Sequence, residues 1–305
     1  MEHGKKVILI LNNFLDAYST GQRDKCVQSI YIRLISNYSF MIPVTALSDF
    51  LYCPRKVYLR YVLKLIPVIG EPIIKGKIQH DVFDAINKTE ENIILSVKPS
   101  DLNNLDVLYT NVYRELLANS VSKFEEDIKK AELDKEQLFN NSLQKFLDEA
   151  NYRAKNLLNI IKTTGLFGKD LLGVMPLKQK SELFLSSKRL RLRGVIDKVE
   201  ILDDVHVPVE LKTGPMPREG VWPNHKIQLA SYILLLNENF KSDHGFVEYL
   251  DYDVRRKIVM NPFLEDEVKS LVGEVCNVLE SDNMPKACDN ANKCKSCNFK
   301  DRCLA

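Results

Sequence analysis

Residues 190–212 read LRLRGVIDKVEILDDVHVPVELK, and the apolar and β-branched residues in this segment predict two β-strands. Asp203-Asp204 falls between the two apolar runs and is typical of a hairpin turn. The segment therefore predicts a β-hairpin whose two strands run side by side and bring residues distant in the chain together.

Charged residues stand at the open end of this predicted hairpin. Side chains of equal parity share one face of a strand, so we expect Asp197 to project with Arg191 and Arg193. By the same rule Glu210 projects with Lys212 on the neighbouring strand. The hairpin thus predicts two carboxylates and an amine at one place.

Asp197 and Glu210 both follow apolar residues, and a carboxylate in such surroundings requires a partner. Two carboxylates can bind Mg²⁺ or Mn²⁺, which can also accept a phosphate oxygen. Lys212 beside the metal can orient or deprotonate a water and offset charge that develops during phosphodiester hydrolysis. Taken alone, such an acid-base pattern in a hairpin is more often a surface salt bridge.

The regions around the hairpin predict an α/β core preceded by a helical half. Amphipathic helical periodicity dominates before Gly173, and strands with two further helices follow it. In the helical half, Thr45 is the expected N-cap of a helix that breaks near Pro54. The first strand of the core is expected at 182–186, followed by a hairpin turn at Ser187-Lys188. We divide the chain into five segments: an N-terminal extension of unknown role at 1–40, an N-terminal helical part at 41–103, a helical insertion at 104–172, a core at 173–281, and a cysteine-rich segment at 282–305.

Composition and charge exclude several classes of protein. The 305 residues are 45% hydrophobic and 28% charged, as in globular proteins, with a formal net charge of +2. A nucleic-acid surface would therefore have to come from local clusters of basic residues. No apolar run approaches the roughly 20 residues that span a bilayer, so we expect a cytoplasmic protein without a membrane partner.

Cysteines are concentrated near the C-terminus. Cys294-x-x-Cys297 followed by Cys303 indicates metal or redox use in a segment with little apolar material of its own. The fourth ligand could be Cys288 or the distant Cys53, and we favour Cys53 because bridging the two ends would order the tail. Four thiolates suit a tetrahedral Zn²⁺ and an iron–sulfur cluster equally. The other two cysteines, at 26 and 276, are expected to be plain reduced thiols.

Two helical pairs of residues add to the constellation. Gly76 and His80 lie one turn apart on a predicted helix, where a histidine is more often structural than a ligand. Gln228 and Tyr232 share a face of a later helix and could hold a strand of DNA.

Basic residues near the hairpin could bind phosphates. Arg191 and Arg193 could form a phosphate-binding rim or a solvated strand edge. Arg55 and Trp222 are further candidates for contact with DNA.

Together these motifs resemble the RecB-like branch of the PD-(D/E)xK nucleases, and within it the CRISPR-associated exonucleases with a four-cysteine iron–sulfur cluster. The resemblance covers about residues 41–305. It rests on six motifs in sequence order: Phe50-Leu-Tyr-Cys53-Pro-Arg-Lys56, Gly76-x₃-His80, Gly194-Val-Ile-Asp197, Glu210-Leu-Lys212, Gln228-x₃-Tyr232 and Cys294-x₂-Cys297-x₅-Cys303.

The resemblance implies a restriction-endonuclease-like core, a mixed central sheet flanked by helices. It further implies that His80, Asp197, Glu210 and the carbonyl of Leu211 bind the catalytic metal, with Lys212 as the catalytic lysine. The implied cluster ligands, for a [4Fe–4S] rather than a [2Fe–2S] centre, are Cys53, Cys294, Cys297 and Cys303. The extension, the insertion and Cys288 depart from the family pattern.

The expected activity is that of a metal-dependent DNA exonuclease, with preference for single strands, that processes DNA for CRISPR spacer acquisition beside integration proteins. A non-catalytic cluster-bearing DNA-binding subunit is the alternative of another class, but it leaves Asp197, Glu210 and Lys212 without a role. A RecB-like repair nuclease that works with a separate helicase is the alternative among enzymes.

Overall fold

The computed structural model describes residues 41–175 and 178–303. The predicted extension at 1–40, and Cys26 within it, lie outside the described residues. The compact unit Ile42–Ala305 carries the sheet and the helices described below.

Six strands within the described ranges form one sheet. They are β1 (Ile42–Pro43), β2 (Lys178–Ser187), β3 (Leu192–Leu202), β4 (Val205–Lys212), β5 (His244–Tyr249) and β6 (Val254–Val259). The helices are α1 (Val44–Tyr52), α2 (Pro54–Val57), α3 (Glu71–Ser96), α4 (Leu105–Lys123), α5 (Glu125–Lys130), α6 (Lys135–Thr164), α7 (Gly168–Val174), α8 (Pro223–Leu236), α9 (Pro262–Glu280), α10 (Ala291–Lys295) and α11 (Lys300–Cys303). A π-helical turn, Tyr58–Val62, follows α2, and a 3-10 turn, Pro99–Asn104, precedes α4.

The sheet is mixed, as the family resemblance implies. Its order is β1-β3-β4-β5-β6, with β2 paired to β3 outside this path. The β1–β3 and β4–β5 pairs are parallel, and the β2–β3, β3–β4 and β5–β6 pairs are antiparallel. The helix α8 makes the crossover that the parallel β4–β5 pair requires.

The predicted hairpin is confirmed. Leu202 pairs with Val205 around the turn, where Asp203 adopts a left-handed φ of 51°. The β3–β4 ladder continues to the pair of Lys198 with Val209, while β4 goes on to pair with β5 as far as its last residue. The open end of the hairpin is therefore where β3 and β4 stop pairing with each other.

The strand before the hairpin differs from its predicted extent. We expected β2 to cover 182–186 and to be followed by a two-residue turn, whereas it runs from Lys178 to Ser187 and the turn occupies 188–191. The polar ends of β2 do not alternate clearly in hydrophobicity. Hydrogen bonding to β3 extends the strand beyond the apolar segment.

The described part of the chain has three hydrophobic cores, of which two are large. The first packs the sheet against α1, α8 and α9 and includes Ile196, Val199 and Cys276. The second joins α3 to the helices of the insertion through α3 residues spaced four apart, namely Ile74, Ile78, Val82 and Ile86. The predicted segment 41–103 is thus shared between the two cores.

The predicted helix break at Pro54 is confirmed, because α1 ends at Tyr52 and Pro54 is the first residue of α2. Cys53 lies between the two helices. The proposed N-cap at Thr45 is wrong, since α1 begins at Val44 and Pro43 takes the cap position. No helix within the described ranges has the length and apolar character needed to cross a membrane.

Candidate active site and cysteine site

The helix α3 brings His80 against strand β3. The Nδ1 atom of His80 lies 3.2 Å from Oδ1 of Asp197. The backbone N–H of Leu211 donates to Oδ2 of the same carboxylate at 2.8 Å. A Cβ on Gly76 would lie 3.3 Å from Oγ1 of Thr213, so a glycine one turn before His80 allows α3 to lie close to the end of β4.

Glu182 joins this pair, although no sequence motif singled it out. One ligand atom from each of His80, Glu182 and Asp197 lies within 4.8 Å of the other two. The β2–β3 register sets Glu182 opposite Asp197, because the residues on either side of each pair with one another. Counting from the β2–β3 turn would have found Glu182 if the turn had been known to span 188–191.

The backbone at Glu182 is strained. Its φ of 50° lies in the left-handed region, which residues with a side chain adopt at a cost in energy. Such residues cluster at functional sites. This conformation interrupts the β2–β3 ladder at Glu182, where its carboxylate comes close to the side chains of His80 and Asp197.

The second predicted carboxylate is part of a buried network. Nζ of Lys212 donates to Oε1 of Glu210 at 2.6 Å and to Oε1 of Gln228 at 2.9 Å. Nε2 of Gln228 donates to the same Glu210 oxygen at 2.6 Å and lies 3.3 Å from the hydroxyl of Tyr232. The structure thus brings Glu210, Lys212, Gln228 and Tyr232 together.

The predicted DNA-contact residues Gln228 and Tyr232 are buried in this network. Gln228 and Tyr232 are 5% and 2% exposed, and their polar groups bond to other side chains of the protein. A Cβ on Gly194 would lie 2.6 Å from Cε1 of Tyr232, so the ring packs directly on β3. A direct contact of either residue with DNA stays a prediction, while their contact with the catalytic candidates is an observation.

Burial and charge set the protonation states. Burial, with Asp197 nearby, raises the pKa of Glu210 to about 7. Burial alone would lower the pKa of Lys212, but the Glu210 and Asp197 carboxylates raise it above its usual value. For His80 and Asp197, burial alone would lower the pKa of the histidine and raise that of the aspartate. Their mutual contact has the opposite effect, and on balance the pKa of His80 is raised and the pKa of Asp197 is lowered. At neutral pH, Lys212 is therefore charged and Asp197 ionised.

The donors at this site fit a divalent cation. Mn²⁺ accepts an imidazole nitrogen and carboxylate oxygens as ligands, and carboxylate oxygens also suit Mg²⁺. Oε2 of Glu210 is buried and has no hydrogen-bond partner among the described residues, an arrangement that a bound cation would relieve. Of the implied ligand set, His80 and Asp197 converge with Glu182, whereas Glu210 is paired with Lys212.

A cleft of about 650 Å³ opens over these residues. Its lining includes His80, Glu182, Asp197, Leu211 and Lys212. The rest of the wall comes from α3, from the residue after β4 and from the end of α4: Pro72, Ile73, Gly76, Lys77, Asp81, Asp84, Lys123, Phe124 and Thr213.

Two arginines near the hairpin have different positions. Arg193 is exposed on β3 with the same parity as Asp197. The expectation that Arg191 shares this alternation is wrong, because Arg191 lies before β3 with a left-handed φ of 54° and its guanidinium is 3.5 Å from Glu280. Residues in a turn do not follow the two-residue repeat of a strand.

The remaining DNA-contact candidates are also located. The Nε atom of Arg55 is buried and has no partner among the described residues. Trp222 is partly exposed just before α8, and its indole N–H donates to the carbonyl of Pro215 at 2.9 Å.

Five cysteines line one cavity of about 60 Å³ between α2 and the C-terminal segment. They are Cys53, Cys288, Cys294, Cys297 and Cys303. The structure therefore brings together the four implied cluster ligands and also the alternative ligand Cys288. A set of soft thiols without a carboxylate fits an iron–sulfur cluster or Zn²⁺. Cys276, in contrast, is buried in the first core, as expected of a plain thiol.

The tail that carries four of these cysteines docks through more contacts than its composition suggested. Phe299 is only 1% exposed and gives the tail a buried aromatic anchor. The N–H of Val68 donates to the carbonyl of Asn298 at 2.9 Å, and Nζ of Lys293 lies 3.3 Å from the carbonyl of Leu51. Ligation is therefore not the sole force available to dock the tail.

The chain is similar in sequence to known nucleases. The family model described as the PD-(D/E)XK nuclease superfamily matches residues 42–304. A protein named CRISPR-associated exonuclease Cas4 from Francisella tularensis subsp. novicida is 27% identical over 122 residues, 40% of this chain and 60% of that protein. One of the same name from Rhodospirillum rubrum is 26% identical over 126 residues, 40% of this chain and 38% of that protein.

Two further likenesses are weaker in coverage or in superposition. A protein named CRISPR-associated exonuclease Cas4/endonuclease Cas1 fusion, from Geobacter sulfurreducens, is 29% identical over 123 residues, 39% of this chain and 22% of the fusion. The chain thus matches less than two thirds of the length of these relatives. A solved structure described as SSO0001 covers 73% of this chain and 96% of its own at 16% identity, with a TM-score of 0.31, and no conclusion rests on it.

Proposed function

This chain belongs to the PD-(D/E)XK nuclease superfamily, and we propose that it is a metal-dependent DNA exonuclease similar to Cas4. The whole proposal comprises phosphodiester hydrolysis with Mg²⁺ or Mn²⁺, a preference for single-stranded DNA, an iron–sulfur cluster and a role in CRISPR spacer acquisition. Each part has its own support in the chain.

The observation that carries the nuclease activity is the convergence of ligand atoms beside a half-buried, charged lysine. His80, Glu182 and Asp197 come within 4.8 Å of one another in the cleft that Lys212 also lines. A non-catalytic DNA-binding subunit would have no need to place a lysine among these acids. The raised pKa values of Glu210 and Lys212 also support chemistry at this place, because shifted pKa values are frequent at active sites.

The residues of the chain have separable tasks. His80 and Asp197, with Glu182 and Glu210, would hold the divalent cation, which supplies Lewis-acid activation of the phosphate and of a water. Asp197 is oriented for this by the N–H of Leu211. Glu210 is oriented by Gln228, whose amide also holds Lys212.

Lys212 acts as a fixed positive charge. Its raised pKa keeps the ammonium protonated, so it is suited to offset negative charge on the phosphate oxygens as the bond to the leaving oxygen breaks. The two acceptors on Glu210 and Gln228 fix its direction, and no reorganisation of solvent is needed when that charge develops.

The cysteine site supports a cluster, and we propose a [4Fe–4S] centre held by Cys53, Cys294, Cys297 and Cys303. These thiols meet in one cavity although Cys53 is more than 200 residues away in the chain. The cavity is separate in residues from the cleft of the active site. The centre is thus assigned to structure and not to the hydrolytic step.

The cellular role is proposed from the relatives. Several carry the name CRISPR-associated exonuclease, and one of them is named as a fusion with endonuclease Cas1. We propose that this chain trims DNA in the cytoplasm before integration, together with CRISPR integration proteins.

The test is cleavage of DNA labelled at the 5′ or the 3′ end, with Mg²⁺, Mn²⁺ or EDTA. We expect mononucleotides or short products from single-stranded DNA with either metal, no product with EDTA, and slower cleavage of duplex. Circular single-stranded DNA should resist the enzyme, because an exonuclease needs an end.

A matched pair of variants guards this test against contaminating nucleases. Lys212→Met removes the proposed catalytic charge, whereas Lys198→Met removes a half-buried strand lysine that contacts Glu200 and Glu248 away from the cleft. Cleavage that survives in the Lys212→Met protein, at the rate of the Lys198→Met protein, would refute the nuclease proposal.

A further inference from the structure

The helical insertion contributes one wall of the active-site cleft. Lys123 and Phe124, at the end of α4, line the same cleft as His80 and Asp197. Phe124 separates α4 from α5, with a φ of −96° and a ψ of 16° that lie outside the helical region. The chain therefore leaves its helical path at the residue that faces the cleft.

A lysine from each of two helices lies near the ring of Phe124. Nζ of Lys77, on α3, lies 5.9 Å from the ring centroid, and Nζ of Lys123 lies 5.6 Å from it. The ring itself is only partly buried. An aromatic face flanked by cations is how proteins bind single-stranded nucleic acid, because bases stack on the ring while the cations attract the backbone.

The present partners of the two lysines can be replaced. Lys77 is 2.7 Å from Asp127, and Lys123 is paired with Asp81. The side chains of these lysines are 39% and 62% exposed. Ion pairs this exposed contribute little, so a phosphate can take the place of either carboxylate.

The position of Phe124 relative to the metal-binding candidates is fixed by packing. Oγ of Ser120 donates to the carbonyl of Ile78 in the buried contact between α4 and α3. Lys77 precedes His80 by three residues, which is about 4.5 Å along the helix. A strand with one phosphate at His80 thus has its neighbouring nucleotide within reach of Phe124.

We propose that Phe124, with Lys77 and Lys123, binds the nucleotide adjacent to the scissile phosphate of a single-stranded DNA. The base stacks on the ring and the lysines contact its flanking phosphates. A base within a duplex already has both faces stacked, so this site selects unpaired strands. The inference rests on the proposed nuclease function and assigns its strand selectivity to the insertion.

The test uses Phe124→Leu, which keeps apolar volume for packing but removes the aromatic face, and Phe124→Trp, which keeps a face. Tyr152→Leu is the control, an exposed aromatic on α6 of the same insertion. Binding of a fluorescent oligothymidine is measured in a Lys212→Met background, and kcat and KM in the parent background.

We expect Phe124→Leu to weaken binding of the oligothymidine between about 5-fold and 150-fold, as loss of one stacked base predicts. In the cleavage assay Phe124→Leu should mainly raise KM, and Phe124→Trp should have a KM close to that of the parent. Lys123→Gln should reduce the slope of log affinity against log salt by about 0.7. Lys129→Gln should not, because Lys129 is also an exposed, paired lysine but does not line the cleft.

A small diester separates this proposal from the function on which it rests. The loss in kcat/KM of Phe124→Leu on the oligonucleotide should exceed its loss on bis(4-nitrophenyl) phosphate at least fivefold. Equal losses on both substrates, or oligothymidine affinity within twofold of the parent, would overturn the role of Phe124. Parent protein that binds the oligonucleotide but cleaves neither substrate would overturn the nuclease proposal, and the binding comparison would still decide the fate of Phe124.

Discussion

Nδ1 of His80 lies 3.2 Å from Oδ1 of Asp197, although the whole helical insertion separates the two residues in the chain. The other oxygen of this carboxylate accepts the N–H of Leu211. One side chain therefore joins helix α3 and strands β3 and β4. Any variant that moves α3 is expected to act on the metal-binding candidates as well as on stability.

Removing Lys212 should separate metal binding from cleavage. Lys212→Met is expected to lower kcat at least about 100-fold, because the charge acts on the transition state, while Mn²⁺ binding persists. Asp197→Asn should lose both, because it removes a ligand. Calorimetric titration with Mn²⁺ beside a cleavage assay checks this, and equal Mn²⁺ affinities for Asp197→Asn and the parent would contradict the ligand assignment.

We predict that Glu182 is a metal ligand and that its negative charge is unfavourable in the metal-free protein. Burial and the nearby Asp197 and Asp84 carboxylates raise the pKa of Glu182. Glu182→Gln should therefore keep or raise the Tm without metal, yet weaken Mn²⁺ binding by about tenfold or more.

Glu126→Gln serves as the control for Glu182→Gln, since its carboxylate is 90% exposed on α5. Melting curves with and without Mn²⁺ measure both effects. If the Mn²⁺-induced rise in Tm were the same for the two variants, Glu182 would have no part in the site.

The two arginines near the hairpin should differ in their effect on DNA binding. Arg193 is exposed on the strand of Asp197, whereas Arg191 lies in the turn before β3 and is not part of that strand. Arg193→Ala should flatten the salt dependence of DNA binding, because a variant with one phosphate contact fewer releases fewer counterions when it binds DNA. Arg191→Ala should leave the salt dependence nearly unchanged. Anisotropy titrations at several salt concentrations would reveal the opposite order if this assignment were mistaken.

The cysteines should fall into two groups. Protein purified without oxygen should be brown and contain iron and acid-labile sulfide. Serine at 53, 294, 297 or 303 should bleach it and lower the Tm by about 5 °C or more, since ligation contributes to folding. Serine at 276 or 288 should not bleach it.

Cys288 gives this prediction its sharpest control, because its thiol lines the same cavity as the four implied ligands. Absorption spectra and iron analysis distinguish the variants. A colourless parent with stoichiometric zinc would rule out the iron assignment, and a bleached Cys288→Ser beside a coloured Cys53→Ser would exchange the two ligands.

Lys145 should make stability depend on pH. Burial lowers its pKa to about 8, and its Nζ donates to Oε1 of Gln79 at 2.9 Å. The unfolded chain, with an ordinary lysine pKa, binds more protons than the folded chain above about pH 8, so this residue makes stability rise with pH up to about pH 10.5. Below about pH 8 both states are protonated and the penalty is complete.

Lys145→Met should therefore increase stability at pH 7 relative to the parent, and the difference should shrink from pH 8 to pH 10. Urea denaturation at pH 7, 8, 9 and 10 measures it. Lys155→Met, on the same helix and exposed, should show no such trend. A pH-independent difference for Lys145→Met would contradict the lowered pKa.

Local patterns of residues account for much of the architecture. The apolar alternation and Asp203-Asp204 predict the β3–β4 hairpin, and Pro54 predicts the break between α1 and α2. These features depend on neighbours in the chain, through backbone geometry and the periodicity of side chains. The motif order also predicts the family, because six short motifs in a fixed sequence rarely arise by chance.

Other features depend on packing between distant elements. The sequence by itself determined the hairpin, the helix break, the catalytic candidates and the cysteine set. Only the tertiary structure placed Glu182 opposite Asp197, buried Gln228 and Tyr232 behind Glu210, removed Arg191 from the strand and set Phe124 on the cleft. The physical reason is that strand register and helix docking are set by contacts summed over whole elements, and a shift of one residue reverses which side chains face the site.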